Sequence, residues 1–137
     1  MDLDDRELFT AEKAIMREAA ERGPVVIVGW AGFSVLRREP GLFSVFLHAP
    51  IEKRVRRVMK VYGNLTAEEA KALVLRSNRD RGEFARTVLR TERLDPQNYH
   101  LCIDTERFGT SAVVDLIYQA AQDVVRGLGG PSEEPKG

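Results

Sequence analysis

Apolar residues along the chain recur in two rhythms, and the change from one to the other marks out the elements. Leu8, Ala11, Ile15 and Ala19 fall three and four apart with charged residues between them, which predicts a helix ending at Gly23-Pro24. Val25-Val26-Ile27-Val28 then has no polar alternation and predicts a strand covered on both faces. Gly29-Trp30-Ala31-Gly32 is a glycine-flanked turn, and residues 37–41 form a surface turn. A second apolar run, residues 43–47, predicts a second strand that closes at His48-Ala49-Pro50. Ile51, Val55, Val58, Met59 and Tyr62 give the stripe of the next helix, which Gly63-Asn64 breaks. Thr66 and Glu69 form a Thr-x-x-Glu capping box for a further helix reaching about residue 93. Residues 99–103 predict a third strand ending in Asp104-Thr105. The last helix, from about 110 to 126, carries Val113, Ile117, Ala120 and Val124.

Apolar strands separated by helices predict an α/β fold: a parallel sheet with helices on both faces, in one domain spanning residues 1–126. Residues 127–137, rich in Gly, Pro, Glu and Lys, predict a disordered tail. Parallel sheets of this kind bind ligands beyond the carboxyl ends of their strands. Those ends are residues 29–32, residues 48–50 and Asp104-Thr105.

Charge sharpens this picture. The 137 residues carry 21 Lys+Arg and 21 Asp+Glu, yet residues 52–93 hold twelve bases against six acids. Net neutrality argues against a generic polyanion binder, and a basic block within a neutral chain is a first functional hint. Aromatic residues do not interleave with its arginines as stacking on nucleic acid requires, so no nucleic-acid partner is expected. No apolar stretch reaches membrane-spanning length and no basic-then-apolar signal opens the chain, so a cytoplasmic protein without a membrane partner is expected. The lone Cys102 excludes an internal disulfide and, within an apolar strand, is expected to be buried and inert. His48 and His100 lack metal-ligand spacing, so no metal site is expected.

Within the block, Arg76, Arg79, Asp80 and Arg81 stand in Arg-Ser-Asn-Arg-Asp-Arg. On a helix Arg76 and Asp80 share a face, with Arg79 beside them and Arg81 turned away. Guanidinium groups present forked donors that never deprotonate, and several converging on one point neutralise a phosphoryl group. The plainer reading is a solvated face with ion pairs such as Arg79 with Glu83. Arg54 and Arg57 share the face opposite their helix's apolar stripe, which predicts solvent exposure. Asp104 suits either a ligand or the start of a turn, and Trp30 either a base or packing. No Gly-x-x-x-x-Gly-Lys-Ser/Thr phosphate loop occurs in these residues.

Six pieces in order resemble the cytidylate kinase-like proteins of the P-loop nucleoside monophosphate kinase group. They are Glu7-Leu8-Phe9, Val-Ile-Val-Gly at 26–29, Val-Phe-Leu-His-Ala-Pro at 45–50, Glu-Lys-Arg-Val-Arg-Arg at 52–57, Arg-Asp-Arg at 79–81 and Asn-Tyr-His-Leu-Cys-Ile-Asp-Thr at 98–105. The resemblance implies a P-loop NTPase-like sheet and transfer of the terminal phosphoryl of ATP, with magnesium, to a cytidine-type monophosphate. It implies a helical lid over about residues 64–93. There Arg76 and Asp80 match positions binding the acceptor nucleotide, and Arg79 and Arg81 match catalytic lid arginines facing phosphates. Asp104 and Thr105 match the turn near the ATP base.

The family's opening strand, phosphate loop and helix would precede Met1, and Gly29-Trp30-Ala31 replaces its Gly-Arg. The expectation is therefore a truncated or degenerate kinase-like protein with little activity alone. Its sheet would lack the first, central strand, which lies between residues 25–28 and 43–47 in the family. Those strands would pair directly, or a second copy or a partner chain would complete the sheet. The alternative is a non-catalytic, nucleotide-sensing module that docks on a partner chain.

Overall fold

The computed structural model describes residues 5–29 and 31–129. Helix α1 (Asp5–Arg22) leads to the one-turn α2 (Gly32–Val35) and strand β1 (Val45–His48). Helices α3 (Ile51–Tyr62) and α4 (Ala67–Thr87), a 3-10 turn (Pro96–Asn98), strand β2 (Leu101–Asp104) and helix α5 (Thr110–Gly129) follow. The architecture is a helix-rich α/β fold around a two-stranded parallel sheet, in which Val45 pairs with Leu101 and His48 with Asp104.

Local chemistry sets the helix limits where the sequence places them. Thr66 caps α4 by accepting from the Glu69 N–H at 3.2 Å, and its hydroxyl donates to Glu69 Oε1 at 3.1 Å. Gly63 ends α3 in the left-handed region at φ +73°, with its N–H on the Met59 carbonyl at 2.9 Å. A side chain there would strain the backbone, so glycine is the natural stop.

Four expectations change. Residues 25–28 form no strand: Val26 is 90% exposed and Val28 94%, and only Ile27 turns inward, its Cγ2 packing near Gly32. An extended run becomes a strand only when its amides and carbonyls find a neighbouring ladder, and among the described residues this one has none. The sheet thus has two strands instead of three. Cys102 is exposed, because the two-stranded sheet does not cover it. Helix α4 stops at Thr87, short of residue 93, and the chain turns through Arg90 at φ +54°. The last helix runs three residues past its expected end at 126. Trp30 and the rest of the expected tail, residues 130–137, lie outside the described residues.

The core is built from few and mostly small side chains: Phe9, Phe33, Leu36, Ala70, Val74 and Ala85 are among its buried members. Phe9 of α1 meets Phe84 of α4 edge-on at 5.2 Å between centroids. Tyr99 lies between Phe33 at 5.0 Å and Phe46 at 4.8 Å, joining the start of β2 to α2 and β1. Among the described residues no helix is long and apolar enough to cross a membrane.

Candidate functional site

Helices α3 and α4 form the most extensive helix contact of the fold, and the site grows from it. The buried stripe of α4 runs through Ala70, Val74 and Ala85. At the helical repeat this stripe also passes through Asn78 and Arg81, two polar residues on an otherwise small and apolar face. Across from them, Arg54 of α3 donates to Asn78 Oδ1 at 2.7 Å. Arg54 is half-buried, which corrects the solvent-exposed placement expected from its helix pattern; Arg57 is exposed.

The third member comes from the loop after α4. Arg93 is half-buried, and its Nε is enclosed with no hydrogen-bond partner. The loop that carries it is tied down by Asn98, which is buried. Asn98 Oδ1 accepts from Arg37 Nη2 at 2.6 Å, and its Nδ2 donates to the Glu92 carbonyl at 2.6 Å and to Thr91 Oγ1 at 3.1 Å. Tyr99 adds a bond from its hydroxyl to the Arg93 carbonyl at 2.7 Å.

Three guanidinium groups thus converge from α3, α4 and the 88–95 loop. Burial first, then the charge of Arg81, pulls the Arg54 pKa below its ordinary value. Burial does the same to Arg93, reinforced by Arg81 and Arg54 and opposed by Tyr99. Burial raises the Tyr99 phenol, against the pull of Arg93. Guanidinium remains charged across the usable pH range, so the two arginine shifts express burial first and neighbouring like charge second, and not deprotonation. No carboxylate pairs with any of the three among the described residues. Like charges that feel one another in this way, with Arg81 exposed at one side, make this cluster the candidate site.

The remaining sequence candidates stand elsewhere. Arg76, Arg79 and Asp80 are exposed on other faces of α4, and neither Arg76–Asp80 nor Arg79–Glu83 forms an ion pair. Of the four residues singled out in that run, the fold brings only Arg81 to the cluster. Asp104 and Thr105 sit at the carboxyl end of β2. Asp104 Oδ1 accepts from the amides of Glu106 at 2.9 Å and Arg107 at 3.4 Å, and the Glu106 bond is the main reason its pKa is lowered. Thr105 Oγ1 donates to the His48 carbonyl at 3.1 Å, and Lys53 Nζ donates to the Thr105 carbonyl.

His100 is held by its own strand junction: its Nδ1 accepts from the Ser44 N–H at 2.9 Å. Among the described residues no three His, Cys, Asp or Glu side chains group as metal ligands. Magnesium held mainly by substrate phosphates needs no such group. Arg93 escaped the sequence reading because nothing local distinguishes it. Asn78 and Arg81 were legible as polar interruptions of a small-residue stripe.

The family model of the cytidylate kinase-like family matches residues 1–107. Among solved structures, an uncharacterized protein from Eubacterium ventriosum ATCC 27560 has a TM-score of 0.78 and 20% identity, covering 87% of this chain and 74% of that one. At that identity the likeness speaks for the fold. No curated protein matches the chain.

Proposed function

The chain belongs to the cytidylate kinase-like family, and we propose that its Arg54–Arg81–Arg93 cluster receives the phosphate of a nucleoside monophosphate. The observation that carries this reading is the enclosed, unpartnered Nε of Arg93 beside two further guanidinium groups. A buried donor left unpaired costs about 1–3 kcal/mol, and like charges add to that. A phosphate seated at the exposed Arg81 side cancels the repulsion, and a small turn of the Arg93 fork gives its orphan donor an acceptor. Asn78, already bonded to Arg54, holds that fork in place.

The family reaction is phosphoryl transfer from ATP with magnesium, and in this reading the cluster is the acceptor side of it. The sequence carries no glycine-rich phosphate loop, and Asp104 and Thr105 spend their side-chain oxygens on neighbouring backbone groups. Among the described residues β1 has one free backbone edge and residues 25–28 are largely uncovered, which fits a P-loop NTPase-like sheet without its central strand. The 137-residue chain alone therefore binds monophosphate while turning over little or no ATP. This behaviour also fits the sensing module that docks on a partner chain.

Calorimetric titration with CMP, dCMP and ATP, beside a coupled assay for nucleoside diphosphate formation, tests both halves. Monophosphate binding that weakens at least tenfold in Arg81→Met, without ATP-dependent turnover, is the expected result. Binding that ignores Arg81→Met overturns the site. Robust conversion of CMP to CDP by this chain overturns the inactive half of the reading.

A further inference from the structure

Helix α5 carries two apolar stripes, and the fold uses one. Val113, Ile117, Ala120 and Val124 turn inward and are buried or half-buried. The second stripe is Val114, Tyr118, Ala121, Val125 and Leu128, spaced four, three, four and three apart, the seam spacing of paired helices. At about 100° per residue it falls within an arc of about 80°. Val114 is 57% exposed, Tyr118 62%, Val125 67% and Leu128 56%, with the Leu128 tip lying over the Gly41 turn. Tyr118, Ala121, Gln122, Val125 and Arg126 line a shallow groove along it.

The occupant is readable from the symmetry of the stripe. Its small residue, Ala121, sits at the midpoint. Turned end for end about that point, Val114 meets Leu128, Tyr118 comes within one residue of Val125, and Ala121 meets itself. The charges obey the same operation. Asp115 and Arg126 flank the stripe on one side, lie on opposite sides of Ala121, and have no ion-pair partner among the described residues. In an antiparallel pair each Asp115 falls beside the other copy's Arg126, and Gln122 lies near the axis against its own copy.

We propose that α5 is the contact of a homodimer, two copies pairing antiparallel through Val114, Tyr118, Ala121, Val125 and Leu128 about a two-fold axis at Ala121. A self-complementary patch is what a two-fold interface requires. One helix pair is at the small end of specific interfaces, so association is expected over about 1–100 μM chain. The contact is independent of the arginine cluster.

Sedimentation velocity of the full chain between 1 and 200 μM tests it. The wild type is expected to pass from monomer to dimer across that range, and Val125→Glu to remain monomeric at every concentration. Because Val125 is exposed, circular dichroism of Val125→Glu is expected to match wild type, which separates lost pairing from lost folding. Asp115→Arg is expected to weaken the dimer about tenfold, and Asp115→Arg with Arg126→Asp to restore it. A monomeric wild type, or a dimer that Val125→Glu leaves intact, overturns the proposal; the latter would move the contact to another surface such as the β1 edge. A double charge exchange as weak as Asp115→Arg alone overturns the antiparallel register.

Discussion

Replacing Arg93 by methionine is predicted to make the free protein more stable and at the same time weaken its response to phosphate. Methionine keeps an unbranched stem but has no donor to orphan and no charge to repel. Removing an enclosed, unpaired donor relieves about 1–3 kcal/mol. The low end applies here, because Arg93 is only half-buried and water screens part of its repulsion with Arg54 and Arg81. A net gain of about 1 kcal/mol corresponds to a rise in Tm of roughly 3–5 °C for a chain of this size. Wild type should gain more from phosphate than the variant does. With a millimolar site and 20 mM phosphate, linkage predicts about 1.8 kcal/mol of stabilisation, and about 0.6 kcal/mol if the variant binds tenfold more weakly. Thermal melts in phosphate and in chloride at equal ionic strength read both effects. A variant that melts below wild type in chloride, or an equal phosphate response in the two proteins, refutes the reasoning.

Asn98→Ala removes the group that bonds Arg37, Thr91 and the Glu92 carbonyl, and is expected to destabilise by about 2–4 kcal/mol in chemical denaturation while weakening CMP binding. Tyr99→Phe loses one bond to the Arg93 carbonyl and is expected to cost about 1 kcal/mol. Because burial raises the Tyr99 pKa, the folded state holds that proton more tightly. The stability this gives is complete below the unfolded value near 10.0 and lost as pH rises through the folded one, so Tyr99→Phe should flatten the alkaline limb of a denaturation profile. For Asp104 the sign reverses. Its lowered pKa gives stability above the ordinary value of 3.8 that is lost as pH falls through the folded one, so the gap between wild type and Asp104→Asn should narrow between pH 5 and pH 3. Val26→Asp, at a nearly fully exposed position, should change stability by no more than about 0.5 kcal/mol in this chain. A fall in Tm of several degrees would show that Val26 is covered.

What the sequence announces is mainly local. Thr66 with Glu69, Gly63 and the stripe of α3 each fix a helix by interactions within a few residues, and the structure places them accordingly. The run at residues 25–28 has the composition of a buried strand, but strand formation depends on a neighbour elsewhere, which no reading of four valine-rich residues supplies. Helix α2 is one turn long, too short to leave a period. The site divides along the same line. Arg81 stands out within a dense basic run, whereas Arg54 reaches it only because α3 lies against α4. Arg93 reaches it only because Asn98 folds the loop back. Convergence of side chains from three elements is a property of packing, and the one-dimensional pattern records it only as Asn78 and Arg81 interrupting the Ala70–Val74–Ala85 face.

If Arg54, Arg81 and Arg93 together seat a nucleotide's phosphate, as proposed, removing the phosphate or the seat abolishes the same binding preference. The most direct test is calorimetric comparison of CMP with cytidine, which differ only in that group, on wild type and on the Arg54→Met/Arg93→Met double variant. Wild type is expected to prefer CMP at least a hundredfold, and the double variant to lose nearly all of that preference. Equal affinity of wild type for CMP and cytidine, or a preference that survives both substitutions, would contradict it.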